Sequence, residues 1–157
     1  MSDSRLYPER PVVGVGAVIV VDRRVVIIRR KYEPLAGRWS LPGGTLELGE
    51  TLEAGCAREM QEETGLEVEV GPVIEVFDRI MLDDEQRVRY HFVLVDYLCW
   101  PMGGELRAGS DVDHAVLVEP GELASYGLTE KATAVIERGL QLARTAPRPA
   151  REGGGTL

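Results

Sequence analysis

The segment Gly44–Leu66 constrains this chain more than any other feature. It holds six glutamates but a single arginine, Arg58, and glycines frame it. On a helix that turns by about 100° per residue, side chains three and four positions apart are neighbours, so one stripe carries Glu59, Glu62 and Glu63. Three carboxylates on one stripe repel one another, and one guanidinium cannot neutralise them all. The segment therefore needs positive charge from elsewhere.

Divalent cations are the best source of that charge. Mg²⁺ and Mn²⁺ favour carboxylate, carbonyl and water oxygens, and the i,i+4 spacing of Glu59 and Glu63 lets both reach one ion. Gly43 and Gly44 permit a backbone geometry that brings a carbonyl to the metal, although an ordinary turn would also use them. A solvated acidic helix face is the alternative for the whole segment. The spacing favours the metal site.

The pattern Gly44-x5-Glu50-x7-Arg58-Glu59 with Glu62 and Glu63 resembles the box of the Nudix hydrolases at every specified position. The resemblance implies a loop, a helix and a second loop, and a hydrolase that cleaves a pyrophosphate bond. The implied substrate is a nucleoside diphosphate linked to another group. The resemblance also implies metal ligation by all three clustered glutamates and by a backbone carbonyl near Gly43. We expect two or three Mg²⁺ or Mn²⁺ ions when substrate is bound.

Several roles inside the box stay open. Glu59 is either a metal ligand or the general base, because a carboxylate beside a cation stays ionised and can serve both purposes. Arg58 is expected to orient Glu50 or Glu62 by a charge-assisted pair. Glu50 also suits the positive end of the helix dipole, so a purely structural capping role is the alternative.

Candidates outside the box are less specific. The resemblance implies a further acidic ligand or base on a late loop, where Asp111 and Asp113 stand, although a solvated loop explains them equally well. Arg29 or Arg30, at the end of a predicted hairpin, would contact phosphate or lie at the surface. Aromatic side chains that could stack a base, but that also suit a strand core, are Tyr32, Trp39, Phe77, Tyr90 and Trp100.

Composition narrows the class of protein. The 157 residues suit one domain, and no apolar run approaches the ~20 residues of a membrane span. A net charge of −8 without a basic stripe argues against a nucleic-acid polymer as partner. The polar N-terminus lacks the core of a secretory signal, and Cys56 and Cys99 are expected to be reduced core residues. We therefore expect a cytoplasmic enzyme with a small nucleotide substrate, and a homodimer is left open.

Hydrophobic periodicity predicts the order strands, helix, strands, helix, typical of an α/β/α sandwich with a mixed sheet between helices. We expect a flexible N-terminus over 1–9, a Nudix-type domain over 10–144 and a disordered tail over 145–157. The predicted box helix follows an N-cap at Thr51, and the second helix runs from about 130 to 144. The predicted strands are 12–20, 25–30, 39–41, 67–80 with an interruption at Gly71–Pro72, 88–100 and 115–118.

Three functions remain open from sequence alone. The first is a diphosphohydrolase acting on a nucleotide sugar or an ADP-ribose-like compound. The second is a nucleoside triphosphate pyrophosphohydrolase that clears damaged nucleotides. The third is a sensor domain that binds a nucleotide without cleaving it, which the intact box disfavours. Subgroup markers after the box are missing; for example, Leu82 stands where many ADP-ribose pyrophosphatases carry proline.

Overall fold

A computed structural model describes residues 4–146, which form a mixed sheet between two α-helices. No helix among these residues has the length and apolar character needed to cross a membrane. The predicted tail lies almost wholly outside the described residues. In chain order the elements are β1 Val12–Val21, β2 Arg24–Arg30, β3 Trp39–Ser40, β4 Gly43–Thr45, α1 Leu52–Thr64, β5 Leu66–Leu82, β6 Val88–Gly104, β7 Val112–Val118, a 3-10 helix Pro120–Tyr126 and α2 Glu130–Thr145.

Strand β1 is the centre of the sheet. The order is β3-β2-β1-β6-β5, with β4 beside the first half of β1 and β7 beside β2. Strand β1 runs parallel to β6, and the other pairings are antiparallel. Residues 14–19 of β1 are buried on both faces, as their nearly continuous apolar run predicts. The predicted mixed sheet is confirmed.

The two helices cover opposite faces of this sheet. On one face, Cys56 and Met60 of α1 pack on Val15, Ala17 and Tyr97. On the other face, the α2 residues Val135 and Ile136 join a second core cluster that contains Val18, Ile74, Leu98 and Trp100. The thiols of Cys56 and Cys99 are free and buried with their sulfurs 3.9 Å apart, as expected for reduced core residues. The sandwich architecture is therefore confirmed.

Local capping fixes the box helix where the sequence predicts it. The Thr51 side chain accepts a hydrogen bond from the Ala54 N–H, and Gly65 ends the helix in the left-handed region with φ of 77°. At the start of the described chain, the Tyr7 N–H donates to the Arg89 carbonyl at 2.8 Å. Part of the N-terminus that we expected to be flexible thus contacts the domain.

The strand boundaries in the second half of the chain depart from prediction. Strand β5 continues through Gly71–Pro72, because its register against β6 shifts between Val70 and Val73 and absorbs the proline. Strand β6 likewise passes Pro101 and ends at Gly104. The predicted connection between the strands 88–100 and 115–118 therefore shrinks to the loop 105–111. The 3-10 helix before α2 has no counterpart in the prediction.

Candidate active site

A cleft of about 600 Å³ lies where β4, the middle of α1, the end of β2 and the loop before β7 meet. Its basic lining residues are Arg5, Arg30, Lys31 and Arg58. Its acidic lining residues are Glu33, Glu47, Glu59, Glu62, Glu63 and Asp111. The structure thus brings the three clustered glutamates of the box into one cavity with a carboxylate from a distant loop.

Arg58 organises the acidic residues around the start of α1. Its Nε and one terminal nitrogen form two hydrogen bonds with the Glu50 carboxylate, at 2.7 and 2.9 Å. The other terminal nitrogen donates to Glu59 at 2.8 Å and to Glu62 at 3.1 Å. A further bond reaches the Thr45 carbonyl at 3.1 Å. The sequence predicted a partner at Glu50 or Glu62, and Arg58 holds both.

Glu50 is the fixed end of this network. Its carboxylate also accepts the Glu47 N–H at 2.9 Å. The two hydrogen bonds from Arg58, followed by the bond from Glu47, lower the pKa of Glu50 from 4.5 to about 2. In return, the pKa of Arg58 is raised, chiefly by its bonds to Glu50. Glu50 and Arg58 therefore form a permanently charged pair that ties the entry loop to α1.

Glu59 and Glu63 experience the opposite electrostatic environment. Burial raises the pKa of Glu59, although Arg58 opposes this shift. Burial also raises the pKa of Glu63 from 4.5 to about 7, against a hydrogen bond of 2.7 Å from the Gly43 N–H. The charge of Glu62 adds to the shift of Glu59, the charge of Glu59 adds to the shift of Glu63, and the charge of Asp111 adds to both. These two carboxylates are partly desolvated and poorly neutralised, so a cation would stabilise both.

The glycines of the entry loop allow this proximity. A Cβ on Gly44 would overlap the Glu59 carboxylate, and a Cβ on Gly43 would overlap the Val15 carbonyl of β1. Strand β4 can therefore pack against both its neighbour β1 and Glu59 of α1 only because Gly43 and Gly44 have no side chains. Gly43 lines the cleft, and its N–H donates to the Glu63 carboxylate at 2.7 Å. The contact of its carbonyl with a metal stays a prediction.

Asp111 and Asp113 separate in the structure. The loop 105–111 is tied to the end of α1, because Arg107 N–H donates to Thr64 O at 2.8 Å and Gly109 N–H donates to Glu63 O at 3.2 Å. Asp111 ends this loop and lines the cleft. Asp113 lies on β7, where its carboxylate is 3.5 Å from the guanidinium of Arg29.

The two hairpin arginines separate in the same way. Arg30 lines the cleft, and its Nε donates to the Pro34 carbonyl at 2.6 Å. Burial lowers the pKa of Arg30, and the charge of Glu63 opposes that shift. Arg29 pairs with Asp113 instead and is absent from the cleft lining. Of the four charged candidates outside the box, Arg30 and Asp111 line the cleft that holds the box carboxylates.

Comparison with known proteins identifies the family. A family model described as the NUDIX domain matches residues 10–138. The chain belongs to the Nudix family. An ADP-ribose pyrophosphatase of Methanocaldococcus jannaschii is 37% identical over 71% of this chain and 63% of its own length. The chain thus spans less than two thirds of that relative.

Two further relatives match over most of their own length. A putative 8-oxo-dGTP diphosphatase 2 of Mycobacterium tuberculosis is 40% identical over 66% of this chain and 68% of its own. The crystal structure of a MutT NUDIX hydrolase from Burkholderia pseudomallei is 32% identical, with a TM-score of 0.73. That match covers 83% of this chain and 98% of the solved one. Sequence and fold agree on the family.

The donor set of the cleft fits the divalent metal of Nudix hydrolases. Its acidic side chains offer hard oxygen donors, and neither histidine nor cysteine lines it. In the arrangement shown by residues 4–146, no three acidic, histidine or cysteine side chains form a ready metal-binding group. Glu59 points to Arg58 and Glu63 to the Gly43 N–H. In this arrangement each carboxylate accepts a hydrogen bond from the chain.

Sequence reasoning missed part of the cleft. Glu47, whose carboxylate lies 3.7 Å from Arg58, could have been suspected from its place in the box. Lys31 and Glu33 follow the predicted phosphate-contacting arginines, so their proximity was a usable signal. Arg5 had no such signal, because it reaches the cleft only through the fold.

Proposed function

We propose that this Nudix protein hydrolyses the pyrophosphate bond of a nucleoside diphosphate linked to another moiety, using Mg²⁺ or Mn²⁺. One observation carries the proposal. Glu59 and Glu63 are desolvated beside Asp111 in a cleft that also presents Arg30. Such a site binds cations on one side and leaves a guanidinium for phosphate on the other.

The roles of the chain's own groups follow from their positions. Glu59, Glu62, Glu63 and the Gly43 carbonyl would hold the ions. Bound cations supply neutralisation of the phosphate charge and an activated water. Asp111 or Glu59 accepts the proton of the attacking water, since both carboxylates face the cleft. Arg30 binds a phosphate oxygen, and Arg58 with Glu50 keeps the box helix and its entry loop in register.

The relatives support a substrate with a diphosphate bridge and provide one competing reading. The M. jannaschii relative is named an ADP-ribose pyrophosphatase, which favours a nucleoside diphosphate derivative. The M. tuberculosis relative is named a putative 8-oxo-dGTP diphosphatase, which favours a nucleoside triphosphate as the second candidate.

Product analysis separates the two candidates. The protein is incubated with a panel of about thirty nucleotides, with Mg²⁺ or Mn²⁺, and the products are resolved by chromatography. A diphosphate derivative yields two monophosphates, whereas a triphosphate yields a nucleoside monophosphate and inorganic pyrophosphate. We expect activity to vanish in excess chelator and to rise toward alkaline pH, where the nucleophile is deprotonated. Full activity with chelator present would contradict the proposal.

A further inference from the structure

Asp96 on β6 is a buried carboxylate outside the box. Only 7% of its surface is exposed. In the sheet it pairs with Gly16 on one side and Glu75 on the other. Its chain neighbours Val95 and Tyr97 pack in the core cluster under α1, so alternation along the strand places Asp96 on the α2 face. The proposed mechanism gives this side chain no role.

No hydrogen bond or ion pair from residues 4–146 satisfies Asp96. The nearby amine of Lys131 is engaged by Glu75 at 2.6 Å. Burial raises the pKa of Asp96 to about 6, and the charge of Arg79 opposes that shift. At neutral pH the group is therefore mainly a carboxylate that accepts no bond from the chain. Among the described residues no fully buried side-chain oxygen lacks a hydrogen-bond partner, so the Asp96 oxygens keep some accessible surface. They are free to accept a hydrogen bond from a ligand in the adjoining cavity.

The Asp96 side chain borders a cavity of about 130 Å³. This is close to the ~150 Å³ engineered cavity that accepts a benzene molecule, so an aromatic ring fits. Trp39 and Phe77 supply aromatic surface in its lining, and Phe92 lies beside them. A planar heterocycle would meet ring faces in this cavity and a carboxylate in its wall.

The cavity adjoins the acidic cleft. The two share the lining residues Arg5, Arg30, Gly43, Gly44 and Thr45. A ligand whose diphosphate lies at the box would therefore have its nucleoside next to this cavity.

Gly16 makes room for the carboxylate. A Cβ at this position would lie 2.6 Å from Oδ1 of Asp96 and 3.2 Å from the Pro42 carbonyl. The Asp96 carboxylate thus lies directly over the backbone of β1, the strand that also pairs with β4. Because Gly16 leaves this room, the Asp96 side chain packs on β1, the strand that pairs with β4 beside the cleft.

We propose that the cavity receives the base of the nucleotide and that Asp96 selects bases carrying an exocyclic amino group. This inference rests on the proposed function, since it takes the diphosphate to lie at the box. An ionised carboxylate only accepts hydrogen bonds. The amino groups of cytosine and guanine donate to it, whereas the carbonyl of uracil in the corresponding place repels it. Hypoxanthine lacks the 2-amino group of guanine and loses one of two adjacent donors.

Binding of matched nucleoside diphosphates tests this selection without requiring turnover. Titration calorimetry with Ca²⁺ would compare GDP with IDP and CDP with UDP. We expect the amino-bearing member of each pair to bind at least about tenfold more tightly, from the discrimination usual for a good base contact. Asp96→Asn should reduce both ratios to about threefold or less, because an amide both donates and accepts.

The matched control is Asp78→Asn. Asp78 lies on β5 opposite Val93, on the face away from the cavity, and its replacement should leave both ratios unchanged. Equal affinities within each pair for the parent protein would overturn the inference, even if the Asn variant failed to fold. Ratios retained in a folded Asp96→Asn variant would also overturn it. Hydrolysis of no nucleotide in the panel, with the binding preference intact, would instead reject the proposed hydrolase and leave the base site standing.

Discussion

Helices α1 and α2 begin in the same way but serve different ends. Thr51 accepts a hydrogen bond from the Ala54 N–H, and Thr129 accepts one from the Ala132 N–H, each at 3.1 Å. Each helix then buries one side against one face of the sheet. Local sequence thus specifies both helices through the same capping chemistry.

The difference lies in the polar side of each helix. On α2, Glu130 and Glu137 are exposed, as is usual for a charged helix face. On α1, strand β4 and the loop 105–111 cover Glu59 and Glu63, and the side chain of Glu59 is only 12% exposed, whereas Glu62 remains exposed. The candidate site therefore lies where other elements bury part of a polar face that a helix ordinarily leaves in water.

The sharpest test of this contrast substitutes one glutamate on each helix. Glu63→Gln keeps the size but removes a charge that is proposed to bind metal, so turnover should fall at least about a hundredfold with the fold intact. Glu137→Gln on α2, and Glu53→Gln at the exposed start of α1, should change turnover by less than about twofold. Steady-state kinetics and circular dichroism give the comparison. Equal losses in all three variants would remove the distinction between the helices.

In the metal-free protein, Glu63→Gln should raise the free energy of unfolding, although the same substitution lowers turnover. The pKa of Glu63 is raised from 4.5 to about 7, so the folded state binds this proton more tightly than the unfolded state. Stability is therefore lost as pH rises from about 4.5 to about 7. In chelator at pH 8, Glu63→Gln should be more stable than the parent by about 1–3 kcal/mol, and near pH 4 the gain should disappear. Calorimetric melting curves at both pH values would show this, and a variant less stable at pH 8 would contradict it.

The covering loop can be tested through Asp111, with Asp113 on the following strand β7 as the control. Asp111→Asn removes a carboxylate from the cleft and should lower kcat by about tenfold or more while changing substrate affinity less. Asp113→Asn removes only a half-exposed ion pair with Arg29, and its kcat should stay within about twofold of the parent. If both variants retain the parental kcat, the loop only connects strands and Glu59 is the better candidate for the base.

The smallest predicted effects come from substitutions at the two N-caps, which should lower the free energy of unfolding equally for both helices. Thr51→Ala and Thr129→Ala each remove one capping hydrogen bond and should each cost about 1 kcal/mol of unfolding free energy. Urea denaturation would measure both, with Thr→Ser at each position as the conservative control. A cost confined to one helix would show that its cap acts through tertiary contacts rather than through local structure.

The sequence predicted best what depends on neighbours in the chain. The limits of α1 follow from Thr51 and Gly65, and the contact of Arg58 with Glu62 follows from their i,i+4 spacing. Prediction failed where the structure depends on pairing between strands that are distant in the sequence. The pairing of β5 with β6 carries the chain through Pro72 and Pro101, which local rules treat as breaks.

Distant pairing also decided two points at the candidate site. Asp111 and Asp113 are equivalent from local composition, and only the start of β7 sends one to the cleft and the other to Arg29. Asp96 stands inside an apolar run that indicates a core strand. Its position over Gly16 depends on a partner strand 80 positions earlier in the chain, so no local pattern could reveal it.

The connectivity of the sheet has a consequence for folding order. Strands β5 and β6 close across a short turn in which Asp83 N–H donates to the Arg87 carbonyl, so this long hairpin forms from nearby residues. The parallel pairing of Val12 with Phe92 must instead close a much longer loop, which costs more chain entropy. That loop contains β4 and α1. We therefore expect the hairpin to form early and the candidate active-site cleft to be completed late, when β1 joins β6.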